Sequence, residues 1–203
     1  MIKNSSSRHE RRSQSTEKKI IQTTVALILE KGFDTVSIQD ITDKADIGRG
    51  TFYIHFKSKE GVVWIAIKDV LHDLIQDIHK NYDRRVPKEK YSALCCVYKY
   101  AKDNRDLWLA VLGERGSMKL AGHVQDFLAE ALLYDIKNTS SLRLREPNVP
   151  QDVLAQMLAG SLVRIILWWL ETPSAYSIEQ MSEYTYKLFY RRNPPININS
   201  PVQ

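Results

Sequence analysis

The chain has 203 residues, of which 43% are hydrophobic, and it carries a formal net charge of +5. This length can hold one large domain or two small ones, and a basic balance suits a polyanionic partner, although many solvated proteins carry as much charge. No uninterrupted apolar run approaches the roughly 20 residues needed to cross a bilayer, and the polar N-terminus is not a secretory signal, so we expect a soluble cytoplasmic protein without membrane contact.

Residues 1–15 are rich in serine and charge and contain only two apolar residues. So few apolar residues do not offset the entropy lost on ordering, and we predict a disordered basic arm. Its four basic residues outnumber its one acidic residue. Such an arm could enter a DNA minor groove, and the alternative is a solvated tail without a role.

From Thr16 the pattern becomes helical, with apolar residues recurring along one face from Ile21 to Leu29 and with Gly32 as a C-terminal stop. We expect this first helix to brace the two short helices that follow it.

Residues 37–59 predict two short helices joined by a tight turn. Ser37 and Asp40 have the spacing of a capping box, and the apolar residues after Ser37 recur at i, i+3 and i+7, which gives the first helix one buried face. The run 46–48 breaks that helix, because Asp and Gly tolerate turn dihedrals that β-branched residues resist. A second helix begins at Arg49.

In the second helix, Phe52 and Phe56 are spaced to point inward together. The residues left outside are donors for base edges and phosphates, together with a threonine methyl and an aromatic ring. This outer set comprises Arg49, Thr51, Tyr53, His55, Lys57 and Lys59.

Two other interpretations of this segment are weaker. The run 48–50 begins like a dinucleotide fingerprint, but no third glycine follows and no hydrophobic strand precedes it. His55 has no second ligand at helical spacing beside it, so we expect no metal there. Phe52 and Phe56 are interpreted as core.

A longer helix is predicted from Ser58 to about Lys80, with apolar residues at 3.6-residue spacing. It would span roughly 30 Å, long enough to belong to both halves of the molecule. His72 and His79 lie two turns apart on it, too far apart for one metal ion without a third ligand, and surface histidines are the simpler interpretation.

After a polar break at 81–90, the remaining segments all favour helix, and we predict an all-α fold. The link at 113–117 looks superficially like a phosphate loop, but it has no Walker spacing and follows no strand.

Cys95 and Cys96 are adjacent, where a disulfide would close almost no loop, so buried reduced thiols are favoured over a redox switch. The predicted helices span 91–101, 106–112, 118–136, 151–171 and 177–191.

The last two predicted helices carry more apolar surface than one small bundle can bury, which indicates a partner surface. The chain offers no pattern of nucleophile and base, no metal-ligand cluster and no cofactor loop, so we expect neither an enzyme nor a bound metal or cofactor. An enzyme or lipid carrier with a helical cavity remains the alternative of a different class.

The string GRGTFYIHFKSKEGV, preceded by TVSIQDIT, resembles the recognition helix and the next helix start of the TetR family of bacterial one-component transcriptional regulators. One departure is Gly48, where the family often has Ser or Thr as the helix cap, and glycine caps only slightly less well. More faintly, YAKDNRDLWLAVLGERGSMKLAGHVQDFL and AGSLVRIILWWLE look like the C-terminal domain of one branch of that family.

The resemblance implies a regulator, expected to be a ligand-responsive repressor, that binds a double-stranded palindromic operator as a homodimer. The alternative keeps the fold without a small ligand, as a regulator or co-activator controlled by a partner protein. The implied organisation is an arm at 1–15, a helix-turn-helix domain at 16–60, a helical effector and dimerisation domain at 61–192, and an irregular tail at 193–203.

The positions that match the family's DNA contacts are Ser37, Gln39, Arg49, Gly50, Thr51, Tyr53, His55 and Lys59. We expect Arg49 to read bases, and Tyr53 and Lys59 to contact phosphates. The last two helices should pair with their symmetry mates through Leu154, Met157, Leu158, Ser161, Leu162, Ile165, Met181, Thr185 and Leu188.

A small apolar or aromatic effector is expected in a mostly apolar pocket of the second domain, because ligand sites are largely hydrophobic with a few placed polar groups. The alternative is that these aromatic residues are core. The candidate lining residues are Trp64, Tyr98, Trp108, Arg115 and Trp168.

Overall fold

The computed structural model describes residues 3–81, 92–138, 149–172 and 176–189. All regular structure within these ranges is α-helical, which confirms the predicted fold class. The predicted break at 81–90 and the tail at 193–203 lie almost wholly outside the described residues. The helices are α1 (Lys3–Lys31), α2 (Ile38–Ala45), α3 (Arg49–His55), α4 (Lys59–Asn81), α5 (Ser92–Asp103), α6 (Arg105–Leu112), α7 (Met118–Asn138), α8 (Gln151–Glu171) and α9 (Ile178–Phe189).

Helix α1 begins at Lys3, so the prediction of a disordered arm over residues 1–15 was wrong from that residue onward. No residue from 9 to 19 is buried, and Ile20 is the first that is. The C-terminal half of α1 packs on the core, and each further turn toward the N-terminus then costs little, because extending an existing helix is far easier than initiating one. The residues before Ile20 contain neither proline nor glycine to stop it.

The two short helices form as their end signals predict. The hydroxyl of Ser37 accepts from the backbone N–H of Asp40 at 3.1 Å, and the Asp40 carboxylate accepts from the backbone N–H of Ser37 at 2.9 Å, which completes the capping box. Asp46 ends α2 in the left-handed conformation, at φ 50°. Gly32 has φ +89°, a conformation that suits glycine and ends α1.

One large hydrophobic core joins the two halves of the described part of the molecule, and a smaller alanine cluster lies between α7 and α8. Helix α1 packs on α2, α4 and α6, and α7 packs along α8. Helix α4 contacts α1 at one side and α5 and α7 at the other, so it links the two halves as expected for a shared helix. The largest completely buried side chains come from both halves: Tyr98, Phe52, Ile20, Ile28, Ile41, Leu71, Leu120, Val62, Val63, Val111 and Val124.

Among the described helices, α8 has the length and apolar composition of a membrane-spanning helix, which the sequence analysis did not anticipate. Half of its most apolar window is buried inside the protein. A core helix has the same composition, because it is surrounded by apolar side chains on most of its circumference.

Candidate nucleic-acid interface and effector region

Helix α3 turns one side to the core and the other to solvent. Phe52 is fully buried and Phe56 is 6% exposed, which confirms that both are core. Gly48 precedes the helix as its N-cap in an extended conformation, without a side chain to cap it. Of the eight predicted DNA contacts, Ser37, Gln39, Arg49, Gly50 and Tyr53 are exposed, while Thr51, His55 and Lys59 are half-buried.

Two predicted contacts on α2 are engaged in local hydrogen bonds. The hydroxyl of Ser37 donates to the Asp40 carboxylate, and this bond is the main reason that the pKa of Asp40 lies below its ordinary value of 3.8. The amide of Gln39 donates to Asp43 at 2.6 Å. Ser37 therefore acts first as a helix cap, and the amide of Gln39 is held against the next turn of α2.

Lys59 does not point outward as the sequence analysis predicted. Its ammonium donates to the carbonyl oxygens of Phe33 and Val36, the latter at 2.6 Å, and it stands 4.3 Å from the centroid of the Phe33 ring. Burial lowers its pKa. The long side chain of the first residue of α4 reaches back across the α1–α2 connection, whose carbonyls have no helical partner there. In this structure the Lys59 ammonium is bound to backbone carbonyls and is not directed outward to contact a phosphate, which corrects the prediction.

Ile54 is 82% exposed on α3 but is not among the predicted DNA contacts. Those contacts are mostly polar or aromatic, whereas Ile54 is aliphatic. Its spacing was the available signal: Ile54 follows the inward-pointing Phe52 by two residues, which places it on nearly the opposite side of a helix.

Arg115, a candidate lining residue, instead lies between α6 and α7 and bonds to the DNA-binding half. Its guanidinium donates to the carboxylate of Asp34 through three contacts of 3.1 to 3.2 Å. Asp34 lies in the connection between α1 and α2, and both side chains are largely exposed. Arg115 is therefore held in a surface ion pair rather than inside the second half of the molecule, which corrects its assignment as an interior lining residue.

The other candidate lining residues have separate surroundings and do not converge on one site. Tyr98 is fully buried, where its hydroxyl shares a 2.6 Å hydrogen bond with that of Thr185 and its ring meets Trp169 edge to face. Trp108 is 8% exposed and meets Tyr100 edge to face. Both are core residues, which was the alternative in the sequence analysis.

Trp64 lies in a different environment, between α4 and α7. Its ring centroid is 5.3 Å from that of His123 and 6.1 Å from that of Phe127. The Nδ1 atom of His123 is buried and has no hydrogen-bond partner among the described residues. A buried polar atom without a partner costs free energy, so Nδ1 of His123 is an unused hydrogen-bonding position beside the two aromatic rings.

The predicted dimer face divides into two sets. Met157 is 65% exposed and Leu188 is 63% exposed, Ser161 is also exposed, and Leu154 and Ile165 are half-buried. The second set is buried within its own chain, because α8 and α9 turn these sides to α5 and α7, and the prediction that it lies at the dimer interface is corrected. This set comprises Leu158, Leu162, Met181 and Thr185.

An exposed apolar face nevertheless runs along α8 and α9. It includes two residues that the sequence analysis missed, Val153 at 47% and Tyr184 at 42% exposed, and Trp168, at 37%, lies on it rather than in an interior pocket. A groove of about 550 Å³ follows this face and is almost wholly apolar. It is lined by Ser161, Arg164, Ile165, Trp168, Thr185, Leu188 and Phe189.

Two family models match the chain. Residues 20–63 match the model of bacterial regulatory proteins of the tetR family, and residues 88–191 match a transcriptional regulator C-terminal region. Together they span both halves of the structure.

Individual relatives are distant. An uncharacterized HTH-type transcriptional regulator of Bacillus subtilis, YxbF, is 19% identical over 178 residues, which cover 86% of this chain and 45% of that protein. The chain thus spans less than half the length of this relative.

Among solved structures, a TetR transcriptional regulator from Streptococcus agalactiae superposes with a TM-score of 0.69 at 22% identity, covering 92% of this chain and 99% of that one. The FadR regulator from Bacillus subtilis, in complex with stearoyl-CoA, gives a TM-score of 0.58 at 16% identity and covers 84% and 96%. At these identities the two structures establish the fold.

Proposed function

Since the chain belongs to the TetR family of bacterial regulatory proteins and is a transcriptional regulator, we propose that it represses its target genes as a homodimer on an inverted-repeat operator and is released by a small ligand. The family is not a class of enzymes. We place the protein's action in the cytoplasm, where its DNA is.

The geometry of α2 and α3 carries the DNA-binding part of the proposal. A capped short helix, a tight turn and a second helix with two buried phenylalanines present an outer face with Arg49, Gly50 and Tyr53 exposed. This face fits the major groove, where Arg49 would bridge the O6 and N7 atoms of a guanine. Tyr53 would contact a phosphate, and Thr51 and His55 lie at the edges of the face.

The exposed face of α8 and α9 supports the homodimer. Contiguous apolar surface of this kind is uncommon on a monomer unless it binds a partner, and a two-fold axis buries the same face on both subunits. Met157, Ser161 and Leu188 would lie in that interface. Two-fold symmetry requires an operator with inverted half-sites, separated by about one helical turn or a multiple of it.

The effector part of the proposal rests on Trp64, His123 and Phe127. Two aromatic rings beside a buried nitrogen without a partner would hold a small apolar or aromatic molecule through one placed polar group. FadR, which shares the fold, was solved with stearoyl-CoA. The site would lie between α4 and α7, so a ligand there would act on the helix that leads from α3.

Two observations test these parts separately. Selection of duplexes from a random pool by the purified full chain should enrich one inverted repeat, and mobility shift should give tight binding to it. Compounds that raise the melting temperature should then be titrated against the operator complex. By linkage, ligand and operator must weaken each other by the same factor, typically about 5- to 150-fold.

The alternative, a regulator controlled by a partner protein without a small ligand, predicts operator binding that no stabilising compound changes. A lipid carrier or an enzyme with a helical cavity predicts compound binding without any enriched DNA sequence. The duplex selection and the compound titration together distinguish these three functions.

A further inference from the structure

The outermost line of α3 is formed by Gly50 and Ile54. With about 100° between successive residues of an α-helix, each of these two lies about 160° around the axis from Phe52. Phe52 is fully buried, so it marks the inward direction. Ile54 is correspondingly 82% exposed, the most exposed of the large hydrophobic residues of the DNA-binding half.

Gly50 leaves the helix backbone bare one turn before Ile54. A Cβ atom added at Gly50 would meet nothing within 4 Å, so this position is open toward solvent. The helix therefore presents a single projecting side chain at its apex, with Tyr53 beside it at 52% exposure. A partner that covers this side of α3 therefore buries the side chain of Ile54.

The chemistry around Ile54 selects a nucleic acid as the partner at this apex. Arg49 and Lys57 are exposed at the two ends of α3, and the helix itself contains no acidic residue. A lone exposed isoleucine is ordinary on a protein surface, but here it is the apex of a basic helix face. In the major groove the apolar group on base edges is the C5 methyl of thymine, and apolar side chains read it.

We propose that Ile54 determines sequence specificity by packing on the C5 methyl group of one thymine in each operator half-site. This inference rests on the proposed function and adds a base preference to it. Loss of one buried methyl group costs about fourfold in affinity, since a buried methylene contributes about 0.8 kcal/mol and 1.4 kcal/mol is tenfold.

Deoxyuridine scanning of the selected operator tests the proposal, because deoxyuridine differs from thymidine by that methyl alone. Each thymine is replaced in turn, and dissociation constants are measured by mobility shift with the full chain. One thymine per half-site should show a loss of about fourfold. With Ile54→Ala, overall affinity should fall, and the operators with and without that methyl should be bound equally.

Val70→Ala is the matched control variant. Val70 is an exposed aliphatic residue on α4, eleven residues after Lys59 and therefore about 16 Å along the helix from the DNA-binding end. It should keep both the native affinity and the native methyl dependence. Ile54 is exposed, so its replacement should leave the helical circular dichroism and the melting temperature unchanged.

The proposal is overturned if no thymine in the half-sites is sensitive to methyl loss, or if Ile54→Ala retains the full sensitivity. Either result would leave operator binding itself intact. Failure to enrich any duplex would instead contradict the proposed function, so the two failures are distinguishable. Because the scan with the native chain needs no variant, it remains decisive even if Ile54→Ala were poorly folded.

Discussion

The guanidinium of Arg115 donates hydrogen bonds of 3.1 to 3.2 Å to the carboxylate of Asp34 and so joins the α6–α7 connection to the α1–α2 connection. These residues are 81 positions apart in the chain. This ion pair adds to the packing of α1 against α6. The two halves are therefore linked at α1 and α6 as well as through α4. A shift of α6 would therefore move the α1–α2 connection, which leads into α2, through this ion pair.

Asp34→Asn should weaken the coupling between effector and operator while leaving the stability nearly unchanged. An exposed ion pair contributes at most about 1 kcal/mol, whereas substitutions between coupled sites change the coupling by roughly 0.5–2 kcal/mol. The measurement is the ratio of operator dissociation constants with and without ligand.

Lys99→Met serves as the control for that variant, because it removes an ion pair of similar exposure, to Asp103, inside α5 alone. It should leave the ratio unchanged. An unaltered ratio in Asp34→Asn would show that the Asp34–Arg115 ion pair does not transmit the signal.

Replacing Lys59 should damage the fold rather than the salt dependence of DNA binding. Its ammonium bonds to the carbonyls of Phe33 and Val36, and Lys59→Met leaves both without that donor. An unsatisfied buried polar group costs about 1–3 kcal/mol, so the melting temperature should fall. The slope of log K against log salt should stay native.

Lys57→Met is the comparison, since Lys57 is exposed beside the same helix. A phosphate contact by Lys57 in each half-site would be lost from both subunits, so the salt slope should fall by about two. A reduced slope with native stability in Lys59→Met would restore the phosphate contact that the structure argues against.

Tyr98→Phe should destabilise the protein by about 1–3 kcal/mol, because it leaves the buried hydroxyl of Thr185 without its 2.6 Å partner. The double variant Tyr98→Phe, Thr185→Val removes both polar atoms and should recover most of that loss. Urea unfolding of the native protein, Tyr98→Phe, Thr185→Val and the double variant measures this coupling. Additive losses would mean that the hydrogen bond between α5 and α9 contributes nothing.

Tyr98 also gives a dependence on alkaline pH. Burial raises its pKa above the ordinary value of 10.0, so the folded chain holds the phenol proton where the unfolded chain releases it. Stability is therefore full below pH 10 and falls as pH rises above it. The decline should be shallower in Tyr98→Phe, and an identical decline would show that Tyr98 has no part in it.

Met157→Lys should convert the dimer to a monomer, because a charge at the centre of the apolar face of α8 would be buried twice at a two-fold interface. Sedimentation at micromolar concentration reads the result. Leu29→Lys is the control, as Leu29 is a similarly apolar residue, 49% exposed on α1, away from α8 and α9. A native chain that already sediments as a monomer would refute the interface.

Local signals predicted the DNA-binding half well. The Ser37 cap, the turn at Asp46 and the inward pair Phe52 and Phe56 depend on residues within one or two turns of each other, and all three form as expected. Lys59 could not be predicted in this way, since its partners lie 23 and 26 positions away in the chain.

The second half was harder for the same physical reason. Periodicity identifies an apolar helix, but it does not say which side of a doubly apolar helix faces its own chain. Leu158 and Leu162 are buried inside, whereas Met157 and Ser161, each one residue earlier, face outward. The partners of Tyr98 and Arg115 depend on how α5, α6 and α9 pack, which sequence spacing alone does not contain.

Binding of the full chain to the selected inverted repeat and to a duplex holding one half-site tests the central claim most directly. Because a dimer joins two recognition helices at a fixed spacing, the repeat should be bound far more tightly than the single half-site, and moving the half-sites apart by half a helical turn should abolish the difference. Equal affinity for the repeat, the half-site and a scrambled duplex would contradict the account.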